Sequence, residues 1–339
     1  MPRQPENPPR AITILDVAAE AQVSKSTVSL VLQGSELIRK ETAERVREAA
    51  RRLGYVYNRR AGELRRKSSN TIGVVINDLM NPFFAEVLVG LERRLVDAGY
   101  IVFMAHTAES LERQLQVLNT MREQNTAGIA LCPVLGTPAS LTKTVKSWGM
   151  PLVVMIRTLG TGSYDFAGSD NTQGVQLATR HLLAAGHRRI AFLGGHSGPV
   201  LEQRLDGYKA ALAEAGIAFD EHLVFAADPT RQGGHDAMRA ILEATPPIKA
   251  AVSYNDLVAF GALSALGERG LRAGRDFALM GFDNVLDAAH SNPPLSTVDI
   301  RPSDLGEQAA ALLLQRIQEP TLNRQRYLAE PRLVLRQSA

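Results

Sequence analysis

One short segment near the amino end carries hydroxyl and ammonium groups at the start of a helical pattern. The outward-facing side chains of this segment are Lys25, Ser26, Thr27, Ser29 and Leu30. Hydroxyl and ammonium groups hydrogen-bond to phosphate oxygens and base edges, which is how a recognition helix meets DNA. The chemistry that these residue types favour is therefore recognition of a duplex.

Two helices joined by a tight turn must position these groups. Thr13-x-x-Asp16 is typical of a capping box that opens a first helix, residues 22–23 supply the turn, and Ser24 caps a second helix. The inward-facing positions of the second helix are Val28, Val31 and Leu32. The pattern predicts a helix-turn-helix whose second helix enters the major groove. The alternative is a pair of amphipathic helices in an ordinary α-rich domain.

Charge is concentrated at the same end of the chain. Residues 1–68 hold 14 lysines and arginines against 8 acidic residues, a net charge of +6, whereas the rest of the chain carries −3. A third amphipathic helix over 40–53 ends at Gly54, and a short basic stretch follows it as a linker able to fold against DNA. The basic end thus coincides with the motif that must neutralise phosphates.

Composition limits the class and the compartment. With 339 residues and 45% hydrophobic content, the chain can form two or three α/β domains. Its single cysteine, Cys132, excludes a disulfide within the chain and is expected to be buried. The proline-rich start is not a secretory signal and no apolar run is long enough for a membrane span, so we expect a cytoplasmic protein, at the nucleoid when bound to DNA.

From Thr71 onwards, short apolar runs alternate with amphipathic helices, which predicts parallel sheets. The predicted strands are 72–76, 101–105, 128–131, 152–155, 190–193, 250–253, 277–280 and 295–298. Helical patterns are predicted in the gaps between these strands, for example at 83–98, 109–124, 171–186, 201–215, 232–244, 256–269 and 303–318. Segments 72–100 and 190–217 repeat one strand–loop–helix unit, so we expect two doubly wound subdomains with a ligand between them, at the carboxyl ends of the strands.

Motifs for catalysis are missing from the sequence. It has no Gly-x-Ser-x-Gly elbow, no phosphate-binding Walker loop and no His-Glu-x-x-His, and its histidines lack metal-ligand spacing. We therefore expect no catalytic residue, no metal and no cofactor. A solute-binding protein without a DNA function is the remaining alternative, although it would need a signal peptide and no helix-turn-helix.

Taken together, the motifs make the chain resemble the LacI/GalR family of bacterial transcription factors over essentially its full length. The residues that carry the resemblance include Asp16-Val17-Ala18, Leu53-Gly54-Tyr55, Asn81-Pro82-Phe83-Phe84, Asp170-Asn171, Gly186-His187-Arg188, Asn255-Asp256 and Gly281-Phe282-Asp283. The resemblance implies a helical DNA-binding domain and a periplasmic-binding-protein-like α/β effector domain of two doubly wound subdomains. It also implies a homodimer on palindromic operator DNA, most simply a repressor controlled by a small metabolite.

The resemblance divides the chain into four parts. These are a disordered tail (1–10), the helix-turn-helix domain (11–57), a hinge (58–69) and the effector domain (70–339), with an N-subdomain of about 71–170 plus 301–328 and a C-subdomain of about 171–300 plus 329–339.

Residue by residue, the resemblance assigns base reading to Lys25, Ser26 and Leu30. The full set expected at the DNA is Thr13, Ser24, Lys25, Ser26, Thr27, Ser29, Leu30, Asn58, Arg59 and Leu64. Leu30 stands where many members have arginine, and a leucine can contact a thymine methyl but cannot donate to guanine. Leu64 is expected to wedge into the minor groove from the hinge; alternatively it is a core residue of a fourth helix.

For the effector, the resemblance assigns Asp170, Arg204, Asn255 and Asp283 to polar positions of the cleft. Such carboxylates and a guanidinium suit a sugar or a related polyhydroxylated or acidic compound. The remaining candidates are Phe83 and Phe84 as apolar walls and Arg157 as an added positive charge. The two aspartates are alternatively loop caps, and each phenylalanine is alternatively plain core.

Overall fold

Two compact units, Met1–Ser69 and Asn70–Ala339, make up the chain. The computed structural model describes residues 12–35, 37–55, 69–160 and 162–339.

The first unit contains three helices, α1 (Ile14–Glu20), α2 (Lys25–Leu32) and α3 (Lys40–Leu53). The helix starts predicted at Thr13 and Ser24 are confirmed. The Asp16 carboxylate accepts from the backbone and hydroxyl of Thr13 at 2.7 Å each, and the Ser24 hydroxyl accepts from the Thr27 amide at 3.1 Å. The helices enclose a small core of Val17, Ala18, Ala21, Val28, Val31, Ala43, Val46, Ala49 and Ala50. The predicted helix-turn-helix is therefore present.

The third helix is fixed to the turn that precedes α2. Arg45 Nε donates to the Ala21 carbonyl at 3.0 Å, which anchors α3 beside the turn. The helix begins after Arg39, whose side chain makes no capping hydrogen bond, and ends at Gly54 with a left-handed φ of 66°. Glycine adopts this conformation without the steric cost of a Cβ atom, so the predicted end of the helix is confirmed.

The second unit contains two six-stranded sheets. The first has the order β11-β5-β4-β3-β1-β2 and is parallel throughout. Its strands are β1 (Thr71–Ile76), β2 (Ile101–His106), β3 (Gly128–Leu131), β4 (Leu152–Met155), β5 (Asp165–Ser169) and β11 (Arg326–Ala329).

The second sheet has the order β12-β10-β9-β8-β6-β7 and is parallel except at its last strand. Its strands are β6 (Ile190–Leu193), β7 (Val224–Phe225), β8 (Ala250–Ser253), β9 (Ala278–Asp283), β10 (Ser296–Asp299) and β12 (Arg332–Val334). After Ala329, the end of β11, the chain passes directly from the first sheet to the antiparallel strand β12 of the second. The chain also passes between the sheets after β5 and after β10.

Helices pack on both sheets. They are α4 (Pro82–Asp97), α5 (Leu111–Glu123), α6 (Ser140–Ser147), α7 (Asn171–Ala184), α8 (Pro199–Glu214), α9 (Arg231–Glu243), α10 (Asp256–Glu268), α11 (Asp287–His290) and α12 (Pro302–Gln318). Sequence patterns missed four strands, β5, β7, β11 and β12. The missed strands are short or carry polar residues, and for this reason they lack the run or alternation of apolar residues that predicts a strand.

Helices α4 and α12 meet at a glycine on each. A methyl group at Gly90 would overlap the Ser303 carbonyl, and one at Gly306 would overlap the Val87 carbonyl. Neither position therefore accepts a side chain without separating the two helices. This contact fixes α4, whose first turn carries Phe83 and Phe84.

Candidate functional site

A cavity of about 360 Å³ opens at the carboxyl ends of both sheets. The wall of the cavity is built by the loops that follow the strands. This is expected, because ligands of parallel α/β sheets bind at the carboxyl ends of the strands. The volume lies in the range of small-molecule sites. Of the seven residues predicted at the effector, six line this cavity: Phe83, Phe84, Arg157, Arg204, Asn255 and Asp283.

Arg204 on α8 is the most constrained of these side chains. Its Nε donates to Asn171 Oδ1 at 3.0 Å, and Nη1 donates to the Tyr254 carbonyl. The guanidinium carbon lies 3.8 Å from the ring centroid of Phe282 and 4.7 Å from that of Tyr254. Contacts on both its edge and its face hold the guanidinium in one orientation, so its remaining donors have a fixed direction.

Asp283 ends β9 and is buried beside Arg204. Its Oδ1 lies 3.6 Å from Arg204 Nη2. Burial raises the pKa of Asp283 to about 7, with Arg204 opposing the shift and Glu86 adding to it. Asp256 is fully buried nearby, and its pKa is raised well above the ordinary value by burial and by the charge of Asp283. This side of the cavity thus holds two coupled carboxyl groups whose pKa values are both raised by burial.

Asn255 lies at the start of α10. Its Oδ1 accepts from the Val258 amide at 2.9 Å, so the side chain caps the helix while it lines the cavity. The Nδ2 group is the part of this side chain that the cap does not use.

Arg157 reaches the cavity from the loop after β4 and is paired. Its Nη1 lies 2.7 Å from Glu109 Oε1, and it donates to the Pro133 carbonyl at 3.3 Å. The same Glu109 oxygen accepts from Asn77 Nδ2 at 2.6 Å. The positive charge predicted from Arg157 is therefore balanced by a carboxylate at the wall.

Phe83 and Phe84 serve as wall and core at once. Both rings line the cavity and both are buried, and their centroids lie 5.3 Å apart with the planes at 78°. The edge-to-face arrangement is a favourable geometry for aromatic pairs. The two predicted interpretations, apolar wall and core, therefore describe the same side chains.

Asp170 is the one predicted effector residue that does not line the cavity. Its Oδ1 accepts from the Gln173 amide at 2.9 Å as the cap of α7, and it is not among the residues that line the cavity. The neighbouring Asn171 lines the cavity instead. The structure thus favours the alternative interpretation of Asp170 as a loop cap, because its carboxylate satisfies the amino end of the helix.

Left-handed backbone is concentrated in the same wall. Ala108, Glu109, Ile156 and Asp283 have φ angles of 50°, 57°, 68° and 118°. This conformation is costly for a residue with a Cβ atom and most of all for a β-branched one such as Ile156. Strain of this kind is typical of functional sites, where surrounding structure holds it in place.

Sequence reasoning missed several wall residues, including Asn77, Glu109 and Tyr254. Asn77 and Tyr254 directly follow predicted strands, and Glu109 lies three residues after β2. The rule that ligands bind at the carboxyl ends of parallel strands could have found them.

Cys132, directly after β3, is buried as predicted. Its Sγ lies 3.0 Å from Asn77 Oδ1 as a donor, and burial raises the pKa of the thiol to about 12. The group is therefore a neutral thiol at physiological pH.

On the first unit, the amino end of α2 presents the predicted DNA-contacting side chains. Lys25, Ser26 and Leu30 are exposed, whereas Thr27 and Ser29 are half-buried. Ser24 Oγ lies 2.8 Å from Ser26 Oγ and 2.9 Å from Thr27 Oγ1. This hydroxyl cluster and the adjacent lysine form a donor-rich surface at the start of the helix.

Some candidates contribute differently or lie elsewhere. The Thr13 hydroxyl donates to Asp16, so it is engaged in the cap of α1. Asn58, Arg59 and Leu64 lie outside the described residues. Across the described ranges, no three histidine, cysteine or carboxylate side chains are grouped so that they could hold a metal ion. Within the same part of the chain, no helix has the length and apolar character to cross a membrane.

A helix-turn-helix followed by a two-sheet unit with a polar cavity defines a class, the ligand-responsive DNA-binding regulators. Comparison with known families agrees. Residues 13–58 match the bacterial regulatory proteins of the lacI family, and residues 69–334 match the periplasmic binding proteins and sugar binding domain of the LacI family. The chain belongs to the LacI family of bacterial transcriptional regulators.

Individual relatives cover the whole architecture. The ribose operon repressor of Haemophilus influenzae is 34% identical over 327 residues, which span 96% of this chain and 98% of that protein. A transcriptional regulator CelR–cellobiose complex is 32% identical, with a TM-score of 0.74 over 97% of this chain and 100% of that chain. The lac repressor dimer bound to operator and the anti-inducer ONPF is 26% identical, with a TM-score of 0.83 over 97% and 99% of the two chains.

Proposed function

We propose that this protein is a repressor whose affinity for operator DNA is set by a small metabolite in the cavity. The observation that carries the proposal is the buried pair of Arg204 and Asp283 at the cavity wall, which offers a fixed donor fork beside a carboxyl group. Such a pair suits a sugar or a related polyhydroxylated or acidic compound. The CelR relative holds cellobiose and another relative is named for ribose, so the proposal ends at the compound class.

A homodimer is part of the proposal. Strand β2 forms one edge of the first sheet and carries three exposed apolar side chains, Ile101, Phe103 and Met104. Helix α4, which packs against β2, adds the exposed Val89 and Val96. Grouped apolar side chains on a surface favour association, and a two-fold dimer presents two recognition helices to a palindromic operator. The related lac repressor was solved as a dimer on operator DNA.

Control of DNA binding follows from a population shift between two arrangements of the subdomains. The effector favours the arrangement that it binds more tightly, and residues 58–69, with Leu64 as the minor-groove wedge, transmit the change to the operator. The scheme includes no catalytic step and places the protein in the cytoplasm.

The test uses the full-length protein. DNA selected from a random pool is expected to contain an inverted repeat, and a thermal-shift screen is expected to yield a sugar or related compound that raises the melting temperature. A ligand at a hundred times its Kd adds about 2.7 kcal/mol of stability. The compound that binds should also change the affinity of the protein for the selected DNA, compared with and without the compound at the same salt concentration. Ligand binding without any selected DNA would contradict the repressor function.

A further inference from the structure

We propose that Glu109 makes the cavity select uncharged effectors over anionic ones, by neutralising Arg157 before any ligand binds. The inference rests on the proposed function, because it assumes that the cavity holds the effector. It narrows the compound class from polyhydroxylated or acidic metabolites to polyhydroxylated compounds without a carboxylate or a phosphate.

Glu109 joins the loops that follow four neighbouring strands. It lies on the loop after β2, and its Oε1 accepts from Asn77, after β1, at 2.6 Å. The same oxygen lies 2.7 Å from Arg157 Nη1, after β4. Its Oε2 accepts from the Leu135 amide, after β3, at 3.1 Å. The carboxylate is thus engaged on both oxygens by groups of this wall.

The position of Glu109 is set by the backbone. Ala108 and Glu109 are both left-handed, which turns the side chain back towards the neighbouring loops. The loop that carries Leu135 is held separately, because Gln114 Oε1 accepts from the Val134 amide at 2.9 Å and Gln114 is buried. The carboxylate is therefore part of a preformed wall.

Glu109 is the counter-charge of Arg157. The Arg157 side chain is only 14% exposed, so its charge needs a partner close by. Cys132 lies next to the same groups, but burial raises the pKa of its thiol to about 12, so it carries no charge. Without Glu109, a largely buried guanidinium without a counter-charge would face the cavity, and this is the group that binds carboxylates and phosphates.

The other guanidinium of the wall is also balanced at pH 8, which lies above the pKa of about 7 to which burial raises Asp283. Arg204 lies beside Asp283, and the described lining contains two further carboxylates, Asp78 and Asp228. The described lining thus holds four carboxylates against two guanidinium groups and one imidazole, that of His106. An anionic ligand would lose its hydration and would then lie among carboxylates of the same charge. Both the desolvation and the charge repulsion oppose its binding.

The experiment compares Glu109→Gln with the wild-type protein at pH 8, where an ordinary imidazole is neutral. The probes are two matched pairs, glucose with glucuronate and ribose with ribose 5-phosphate, and binding is measured by calorimetry and thermal shift. Glutamine keeps the shape and an acceptor oxygen but removes the charge. We expect the variant to bind one or both anionic probes roughly tenfold to a hundredfold more tightly than the wild type does.

Two control variants separate the site from general charge effects. Glu112→Gln removes the same charge from an exposed position on α5 and should leave the binding of all four probes unchanged. The double variant Glu109→Gln/Arg157→Gln should lose the gain in anion binding, because the freed guanidinium is gone.

The outcomes are distinct from those that test the proposed function. A wild-type protein that binds glucuronate or ribose 5-phosphate more tightly than the matched neutral sugar overturns the inference, and this measurement requires no variant. A folded Glu109→Gln protein without any gain for the anions also overturns it. If none of the neutral sugars binds, that result counts against the proposed function. The increase in affinity for the anionic probes tests the role of Glu109 alone.

Discussion

Arg204 Nη2 lies 3.6 Å from Asp283 Oδ1, and the two residues come from different elements, helix α8 and the end of strand β9. Both side chains are buried, so each one needs the opposite charge that the other supplies. Asn171 accepts from the guanidinium on its Nε edge. The pair therefore forms a rigid polar corner of the cavity.

The first prediction concerns the geometry of this corner. Arg204→Lys keeps a positive charge but removes the Nε hydrogen bond to Asn171 and the flat face over Phe282. We expect the affinity for the sugar that stabilises the wild-type protein to fall roughly tenfold to a hundredfold, as for the loss of a hydrogen bond to a charged group. Calorimetry measures the change. Arg180→Lys, at an exposed position on α7, serves as the control. Equal Kd values for Arg204→Lys and wild type would show that the fixed fork is unimportant.

The second prediction concerns the pH dependence of folding. Burial raises the pKa of Asp283 to about 7, above the ordinary value of the unfolded chain. A carboxyl group with a raised pKa in the folded state contributes stability that is full below about pH 4 and is lost as the pH rises through about 7. The free energy of unfolding of the wild-type protein, relative to Asp283→Asn, should therefore decrease between pH 5 and pH 8.

Urea unfolding of both proteins at a series of pH values checks this sign. Groups that titrate alike in the two proteins cancel in the difference, which therefore reports on Asp283 together with Asp256, whose pKa depends on the charge of Asp283. A difference that stays constant, or that increases with pH, would contradict a raised pKa for this carboxyl group.

How much of the fold could be predicted depends on how each strand is buried. Gly128–Leu131 and Leu152–Met155 were predicted with the observed bounds, because each is a continuous apolar run buried in the sheet. Strand β5 was missed because it begins with an aspartate, Asp165. That carboxylate is buried only because Arg316, 151 residues later, pairs with it. A local pattern contains no information on such a distant partner.

The site shows the same limit. The resemblance assigned Arg204, Asp283 and Asp170 to the effector. Arg204 and Asp283 line the cavity, whereas the Asp170 carboxylate caps α7 and the neighbouring Asn171 lines the cavity. One position along a helix start changes the direction of a side chain by about 100°. Glu109 was missed because its place in the wall depends on left-handed backbone at Ala108 and Glu109, and ordinary residues give no sequence signal for that conformation.

The third prediction concerns base reading by α2. Leu30 is exposed on α2 and offers only apolar contact, so Leu30→Arg introduces a donor fork that suits guanine. We expect the selected operator to change towards guanine at one position of each half-site, with a discrimination of about 1–3 kcal/mol. Sequencing of sites selected by the two proteins measures the change. Leu37→Arg adds the same charge at an exposed position outside α2 and should leave the base preference unaltered. Identical preferences for Leu30→Arg and wild type would refute a base-reading role for Leu30.

The fourth prediction concerns the buried ion pair between β5 and α12. Arg316 Nε and Nη2 donate to the two oxygens of Asp165 at 2.7 and 2.9 Å, and the side chains are 15% and 3% exposed. Asp165→Asn should lower the free energy of unfolding by about 3 kcal/mol, the lower end for a broken buried pair, because Arg316 keeps carbonyl acceptors. Urea unfolding measures the loss. Glu214→Gln breaks an exposed pair with Arg180 and should cost nothing measurable. A similar loss in both variants would contradict the role of burial.

The fifth prediction concerns the apolar edge of the first sheet. Phe103 lies on the edge strand β2 with 55% of its surface exposed, beside the exposed Ile101 and Met104. If this surface is the dimer interface, Phe103→Arg places two charges against each other across the two-fold axis and removes apolar contact. We expect the variant to sediment as a monomer and to lose most of its affinity for a two-half-site operator, because the two recognition helices no longer bind as a unit. Leu328→Arg, on β11 at the opposite edge of the same sheet, adds the same charge at a similar exposure and should remain dimeric. A dimeric Phe103→Arg protein would place the interface on another surface.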